Sequence, residues 1–193
     1  MFRSLFALMV GCLLLAGPVA AQKIDGALAT APAGFHWQPL PEVKAAMLLP
    51  DGWYYKAELG KDTQAYFLTQ EEIVEGGEFQ TGLSLNVVQK VQAKTNRKAA
   101  DYARAFSARA GLAPTQEVLD RKEEALGPLR LFRVRYRAAP ADASPKIICQ
   151  WAIANTKTDT FYMMVFESPE KEWAEAWQLG ETMVRELVLD SKQ

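Results

Sequence analysis

Histidine and cysteine are almost missing from this chain. Its 193 residues include one histidine, His36, and two cysteines, Cys12 and Cys149. A zinc site built from several His and Cys ligands is therefore excluded, since it needs about four such groups. A serine triad or a Cys–His pair would have to use His36, which lies between Phe35 and Trp37 with no GxSxG motif nearby. There is no surplus of either charge: 22 Lys/Arg stand against 23 Asp/Glu. A dedicated nucleic-acid binder normally carries a net basic domain, so that class is not expected. Glycine (12) and proline (10) are too sparse for a collagen-like or low-complexity chain. No phosphate-cradling GxxxxGK[ST] pattern accompanies Gly76-Gly77, so that pair reads as a turn. No cofactor and no metal are expected.

The first 21 residues read as a secretory signal peptide. Arg3 is followed by a twelve-residue apolar run, Leu5 to Ala16, then by Gly17-Pro18 and by small residues at Val19 and Ala21. That run is short of the roughly 20 residues that span a bilayer, and no later segment is long and apolar enough to span one. Cleavage near Ala21 predicts a soluble periplasmic or secreted protein whose one cysteine is Cys149. An alternative is a lipoprotein, with Met9-Val10-Gly11-Cys12 as a loose lipobox and Cys12 lipidated. Residues 22–34 read as a flexible leader, and 35–190 as a single domain.

Within that domain the patterning is mostly of strands. Val43, Ala45 and Met47 alternate with Lys44, Ala46 and Leu48; Pro50-Asp51-Gly52 marks a turn. Trp53, Tyr55, Ala57 and Leu59 alternate with Tyr54, Lys56 and Glu58, as in a half-buried strand. Further strands are predicted at 65–69, 81–91, 116–122 and 129–137. Residues 146–154 and 161–166 form a predicted hairpin, apolar at nearly every position, as in central strands covered on both faces. A helix is predicted from Arg97, capped by Thr95 or Asn96 and stopped at Gly111, with Ala99, Tyr102, Ala103, Phe106 and Ala110 as its apolar stripe. A second runs from the N-cap Ser168 and Pro169 to about Asp190, burying Trp173, Ala176, Trp177, Gly180, Val184 and Leu187. Without regular βαβ alternation, the fold class is α/β in the broad α+β sense: a largely antiparallel sheet sandwiched between helices, one on each face.

Several segments resemble a known family. Leu49-Pro50-Asp51-Gly52-Trp53 is similar to the PxGW strand-turn of PsbP-like domains. Thr81-Gly82-Leu83-Ser84-Leu85-Asn86-Val87 with Ala100, Tyr102 and Ala103, and Tyr162 to Phe166 with Glu167-Ser168-Pro169 and Trp173, resemble later segments in the same order. The resemblance covers about residues 35–190. It implies a three-layer α/β/α sandwich and an accessory or partner-binding domain rather than an enzyme. Members include a photosystem II subunit, a Ran-binding nuclear import factor and the DcrB-like envelope branch, which the signal peptide makes the nearest analogy. No binding motif of any member carries over to named residues here, and one fold serves several functions.

Candidate site residues come from charge and from the few reactive groups. Residues 89–137 carry twelve Lys/Arg and five Asp/Glu, a net of +7, whereas 51–88 and 159–193 each carry −5. Either these charges pair within the fold, or a basic face awaits an acidic partner or an anionic headgroup. Arg133, Arg135 and Arg137 share one side of a strand; three unpaired guanidinium groups cannot be buried under a helix. Their face should be open, or the strand should lie near a sheet edge, and charge reversal there should abolish binding with the fold intact. Cys149, in Ile147-Ile148-Cys149-Gln150-Trp151, reads as an inert core thiol, with a reactive thiol as the alternative. Glu71, Glu72, Glu75 and Glu78 read as a solvated loop rather than a cation site. The leading function is an exported, non-enzymatic envelope accessory or adaptor domain with a protein partner. The alternatives are a small-ligand or lipid-headgroup binder, favoured by an apolar pocket lined by several of Trp37, Trp53, Trp151 and Trp177, and an enzyme using His36 or Cys149.

Overall fold

The computed structural model describes residues 28–74 and 77–189. The signal peptide, Cys12, Glu75, Gly76 and Asp190 lie outside the described residues. Nine strands and three helices follow in the order β1 (Phe35–Leu40), β2 (Ala45–Pro50), β3 (Tyr54–Leu59), β4 (Gln64–Thr69), β5 (Gly82–Gln89), α1 (Val91–Thr95), α2 (Ala99–Ser107), β6 (Gln116–Leu126), β7 (Leu129–Ala138), β8 (Lys146–Asn155), β9 (Thr160–Pro169) and α3 (Trp173–Arg185). Seven of the strands form one sheet in the order β3-β4-β5-β9-β8-β7-β6, antiparallel at every junction. β1 and β2 form a separate two-stranded ribbon.

The apolar β8–β9 hairpin sits near the middle because both of its faces are covered. Alternation sends Cys149, Trp151, Ile153, Tyr162, Met164 and Phe166 to one face, where they pack with β2, β4, β5 and α3. It sends Ala152, Ala154 and Phe161 to the other, beneath Ala99 and Ala103 of α2. Thus α2 covers β7–β9 on one side, and α3 covers β9 and the ribbon strand β2 on the other. This is the sandwich that the strand-helix order predicts.

α3 approaches β9 very closely. A Cβ on Gly180 would lie 2.6 Å from the ring of the buried Phe166, so a bare backbone is what lets the helix settle there. The predicted Gly52 turn is also present, with φ +81° and the Trp53 N–H donating to the Pro50 carbonyl at 3.1 Å.

Several boundaries differ from expectation. Thr95 and Asn96 do not cap the long helix; they end a separate one-turn helix, α1, where the Thr95 hydroxyl donates back to the Val91 carbonyl at 2.8 Å and Asn96 is left-handed. α2 therefore starts at Ala99, with Lys98 as an N-cap that makes no side-chain bond. Ser168 is no cap either. It is buried and extended in β9, paired with Ile147 of β8, and its hydroxyl accepts from Thr81 at 3.3 Å. One 3₁₀ turn, Glu170–Glu172, intervenes before α3. α3 stops at Arg185, because Val188 leaves the helical path to exchange two backbone bonds with Ala46 of β2. β6 runs four residues beyond the predicted end, to Leu126. β2 is buried at every position instead of on alternate ones. β3 departs in the opposite sense: Tyr55, Ala57 and Leu59 are exposed, because β3 ends the sheet and neither helix reaches over it.

Candidate interaction surface

β7 is the second strand from an edge, and its side chains divide as predicted. Phe132, Val134 and Tyr136 are buried on the α2 side. Arg133, Arg135 and Arg137 stand on the α3 side, beyond the reach of that helix, each about one-third to two-fifths exposed. None of the three is unpaired. One carboxylate, Asp120 of β6, takes Arg133 Nη2 at 2.7 Å and Arg135 Nη2 at 2.8 Å through its two oxygens. Arg137 Nε donates to both oxygens of Glu170, at 2.9 and 3.0 Å. Hydrogen bonding from Arg137 lowers the Glu170 pKa below the usual carboxylate range. Glu117, opposite Arg137 in the β6–β7 register, adds a third carboxylate beside the row. The Nε–H groups of Arg133 and Arg135 are buried and meet no acceptor among the described residues.

Beside this row stands an aromatic stack. Trp151 lies opposite Arg133 in the β7–β8 register. Trp151 and Trp177 are stacked with centroids 6.0 Å apart, and Trp177 and Trp173 with centroids 5.2 Å apart. Phe166 meets both helix tryptophans edge-on. Trp173 and Trp177 are half-buried, so the stack is part core and part surface. Between the row and the stack is a recess of about 150 Å³ lined by Lys122, Glu124, Leu131, Arg133 and Trp151. It is a charged notch, not the apolar pocket that four tryptophans under a helix would make. Trp37 lies away from it, with its indole N–H donating to the Ala29 carbonyl at 2.7 Å, and Trp53 packs on the core edge.

The two reactive candidates are not brought together. His36 is exposed on the β1–β2 ribbon, 3.3 Å from Asp51. Cys149 is buried in the main sheet, where burial pushes its thiol up to about 12 against weaker opposing effects from Arg133 and Arg135. A thiol held neutral in this way is a poor nucleophile. The Glu71 carboxylate is occupied in closing its loop: it accepts the backbone N–H groups of Gln80 and Thr81, each at 3.2 Å.

The basic middle of the chain also has a second surface, which strand alternation alone does not reveal. Lys90, Arg97, Lys98 and Arg109 are exposed and form no ion pair among the described residues. Arg97 and Lys98 precede α2 and Arg109 follows it, while Arg104, on the helix itself, pairs with Glu123 at 3.3 Å. Arg121 belongs to the fold instead: its guanidinium donates to the Ser107 and Ala110 carbonyls at the end of α2, at 3.1 and 2.6 Å.

No protein-family model matches the chain, and no curated protein matches it significantly in sequence. The solution structure of cyanobacterial PsbP (CyanoP) from Synechocystis sp. PCC 6803 does match in three dimensions. Its TM-score is 0.54 over 86% of this chain and 99% of that one, at 13% identity. The fold is PsbP-like. The crystal structure of the Saccharomyces cerevisiae Ran-binding protein Mog1p overlaps 80% of this chain and 95% of that one, at 17% identity and a TM-score of 0.49. In this fold the Leu49–Trp53 stretch is the β2–β3 turn, and the Tyr162–Trp173 stretch is β9 with its passage into α3. Among the described residues no helix is long and apolar enough to cross a membrane.

Proposed function

We propose that this chain is an exported, non-enzymatic accessory domain of the bacterial cell envelope that binds an acidic protein partner through the arginine row and the adjoining tryptophan stack. The observation that carries the reading is the arrangement around Asp120. Two partly exposed guanidinium groups share one carboxylate there, next to half-exposed indole rings. Arg and Trp are the side chains over-represented among residues that dominate binding energy at protein interfaces. A carboxylate arriving from a partner would compete for the two guanidinium groups that share Asp120, while the rings supply apolar area. The PsbP-like fold and the motif resemblance support an accessory role. Separation of His36 from a neutral, buried Cys149 counts against an enzyme built on either residue.

The alternative, an anionic lipid headgroup, is favoured by a different observation, the exposed cations Arg97, Lys98 and Arg109 at the two ends of α2, which form no ion pair among the described residues. The two readings separate in one experiment. The protein is used to capture partners from native envelope extract at low and high salt, in parallel with Arg133→Gln/Arg135→Gln/Arg137→Gln and with Arg97→Gln/Arg109→Gln. Glutamine is preferable to charge reversal, which would place new carboxylates against Asp120 and Glu170. Salt-sensitive capture lost only in the first variant supports the proposal. Capture that survives in that variant, with its circular dichroism unchanged, overturns it. Export is tested by fractionation and N-terminal sequencing, with a mature terminus at Gln22 as the expected result.

A further inference from the structure

The two edges of the sheet are defended very differently. β6 carries a register shift between Val118 and Asp120 and six charged residues between 117 and 124, both devices that discourage another strand from adding on. β3 has neither. It pairs with β4 in unbroken register over all six of its residues, contains no proline, and exposes Tyr54, Tyr55 and Leu59.

The free side of β3 can be worked out residue by residue. The β3–β4 hairpin is closed by the Gly60 N–H donating to the Thr63 carbonyl at 3.0 Å. Antiparallel partners alternate between bonded and non-bonded pairs. Counting back from that closing pair, Glu58, Lys56 and Tyr54 bond to β4, while Leu59, Ala57 and Tyr55 turn their N–H and C=O groups outward. Those outward groups have no partner among the described residues.

The strand Tyr54-Tyr55-Lys56-Ala57-Glu58-Leu59 is also complementary to itself. Two copies placed antiparallel about a twofold axis through Ala57 set Lys56 of each opposite Glu58 of the other. They set Tyr55 opposite Leu59, and the small Ala57 against its own copy. The pairs brought into bonding positions are Ala57 with Ala57 and Tyr55 with Leu59 in both directions, the same residues whose backbone groups point outward. Lys56 and Glu58 already lie 3.1 Å apart within one copy, so the four charges of a pair form an alternating quartet.

We infer that the protein forms a twofold dimer by antiparallel pairing of β3 with β3, which joins two seven-stranded sheets into one. A single strand pair buries less than a standard interface, so the dimer is reversible and concentration-dependent. The inference is independent of the partner surface on β6–β8, which lies at the other end of the sheet.

Sedimentation velocity over a wide concentration range tests it. Wild-type protein should pass reversibly from monomer to dimer. Ala57→Pro removes an outward N–H without touching the β3–β4 ladder and should weaken dimerisation by at least about tenfold, since two donors are lost per dimer. Lys56→Glu and Glu58→Lys each set like charges across the axis and should each weaken self-association at low salt. An equimolar mixture of the two restores every opposite-charge pair and should recover a heterodimer. A wild-type monomer at all concentrations overturns the inference, as does a dimer indifferent to Ala57→Pro or a mixture that fails to recover. So does a monomer that instead loses capture of a foreign strand when β3 is altered.

Discussion

Gly180→Ala sets two effects of known sign against each other, and the structure decides which wins. In an exposed helix interior, replacing glycine by alanine stabilises by about 1 kcal/mol. At this position the added methyl would meet the Phe166 ring at 2.6, 2.7 and 2.8 Å, well inside contact distance. Phe166 has nowhere to go: it is fully buried, with Trp173 and Trp177 edge-on at 5.8 and 5.5 Å. Relief requires α3 to lift from β9, and overpacking of this kind costs about 1–3 kcal/mol. The net expectation is destabilisation of up to about 2 kcal/mol, or a fall in Tm of up to roughly 8 °C for a domain of this size. Urea unfolding of wild type, Gly180→Ala, Phe166→Leu and the double variant closes the cycle. In the Phe166→Leu background the methyl has room, so Gly180→Ala should become neutral or stabilising there. A variant more stable than wild type in the Phe166 background would refute the close approach of α3 to the sheet.

The other predictions concern charge and the buried thiol. Asp120→Asn leaves Arg133 and Arg135 facing each other and should destabilise by about 1 kcal/mol at low salt, less at high salt, because the groups are partly exposed; a salt-independent effect would mean the carboxylate acts by shape alone. Cys149 should resist iodoacetamide in the folded state at pH 8 and react at once in urea; rapid labelling of folded protein would show that the thiol is not where β8 places it. The Cys149 pKa is raised on folding, from an ordinary value near 9 to about 12, so its stabilising effect is present below the unfolded value and is lost as pH rises from 9 toward 12. The Tm of wild type should therefore fall over that window more steeply than that of Cys149→Ala.

Local pattern was a good guide wherever an element's environment follows from its own residues. The split of β7 into an arginine side and an apolar side, and the doubly covered β8–β9 hairpin, were legible because alternation and apolar runs are local facts. What was not legible depended on distant partners. Ser168 looks like a helix cap until Thr81 and Ile147 are seen to hold it in a strand. The apolar alternation of β3 looks half-buried until the strand order puts it at an edge. The arginine row was visible in the sequence, but its neutralising carboxylates come from a neighbouring strand and from a turn thirty-three residues on. Thr95 misled for a nearer reason: its hydroxyl bonds back within a one-turn helix too short to give a periodic signal.

The strand order also governs when the domain can form during synthesis. β3–β5 and β6–β8 are two three-stranded pieces, and β9 alone lies between them. α3, which seals one face, follows β9, and Val188 then clips the ribbon strand β2 from the far end of the chain. Until β9 and α3 emerge, neither half-sheet has its central neighbour and much apolar surface stays open. Such a chain cannot complete its core early. For a protein proposed to cross a membrane unfolded, a late-arriving central strand keeps the polypeptide threadable until β9 has been made, and leaves apolar surface open over the same interval.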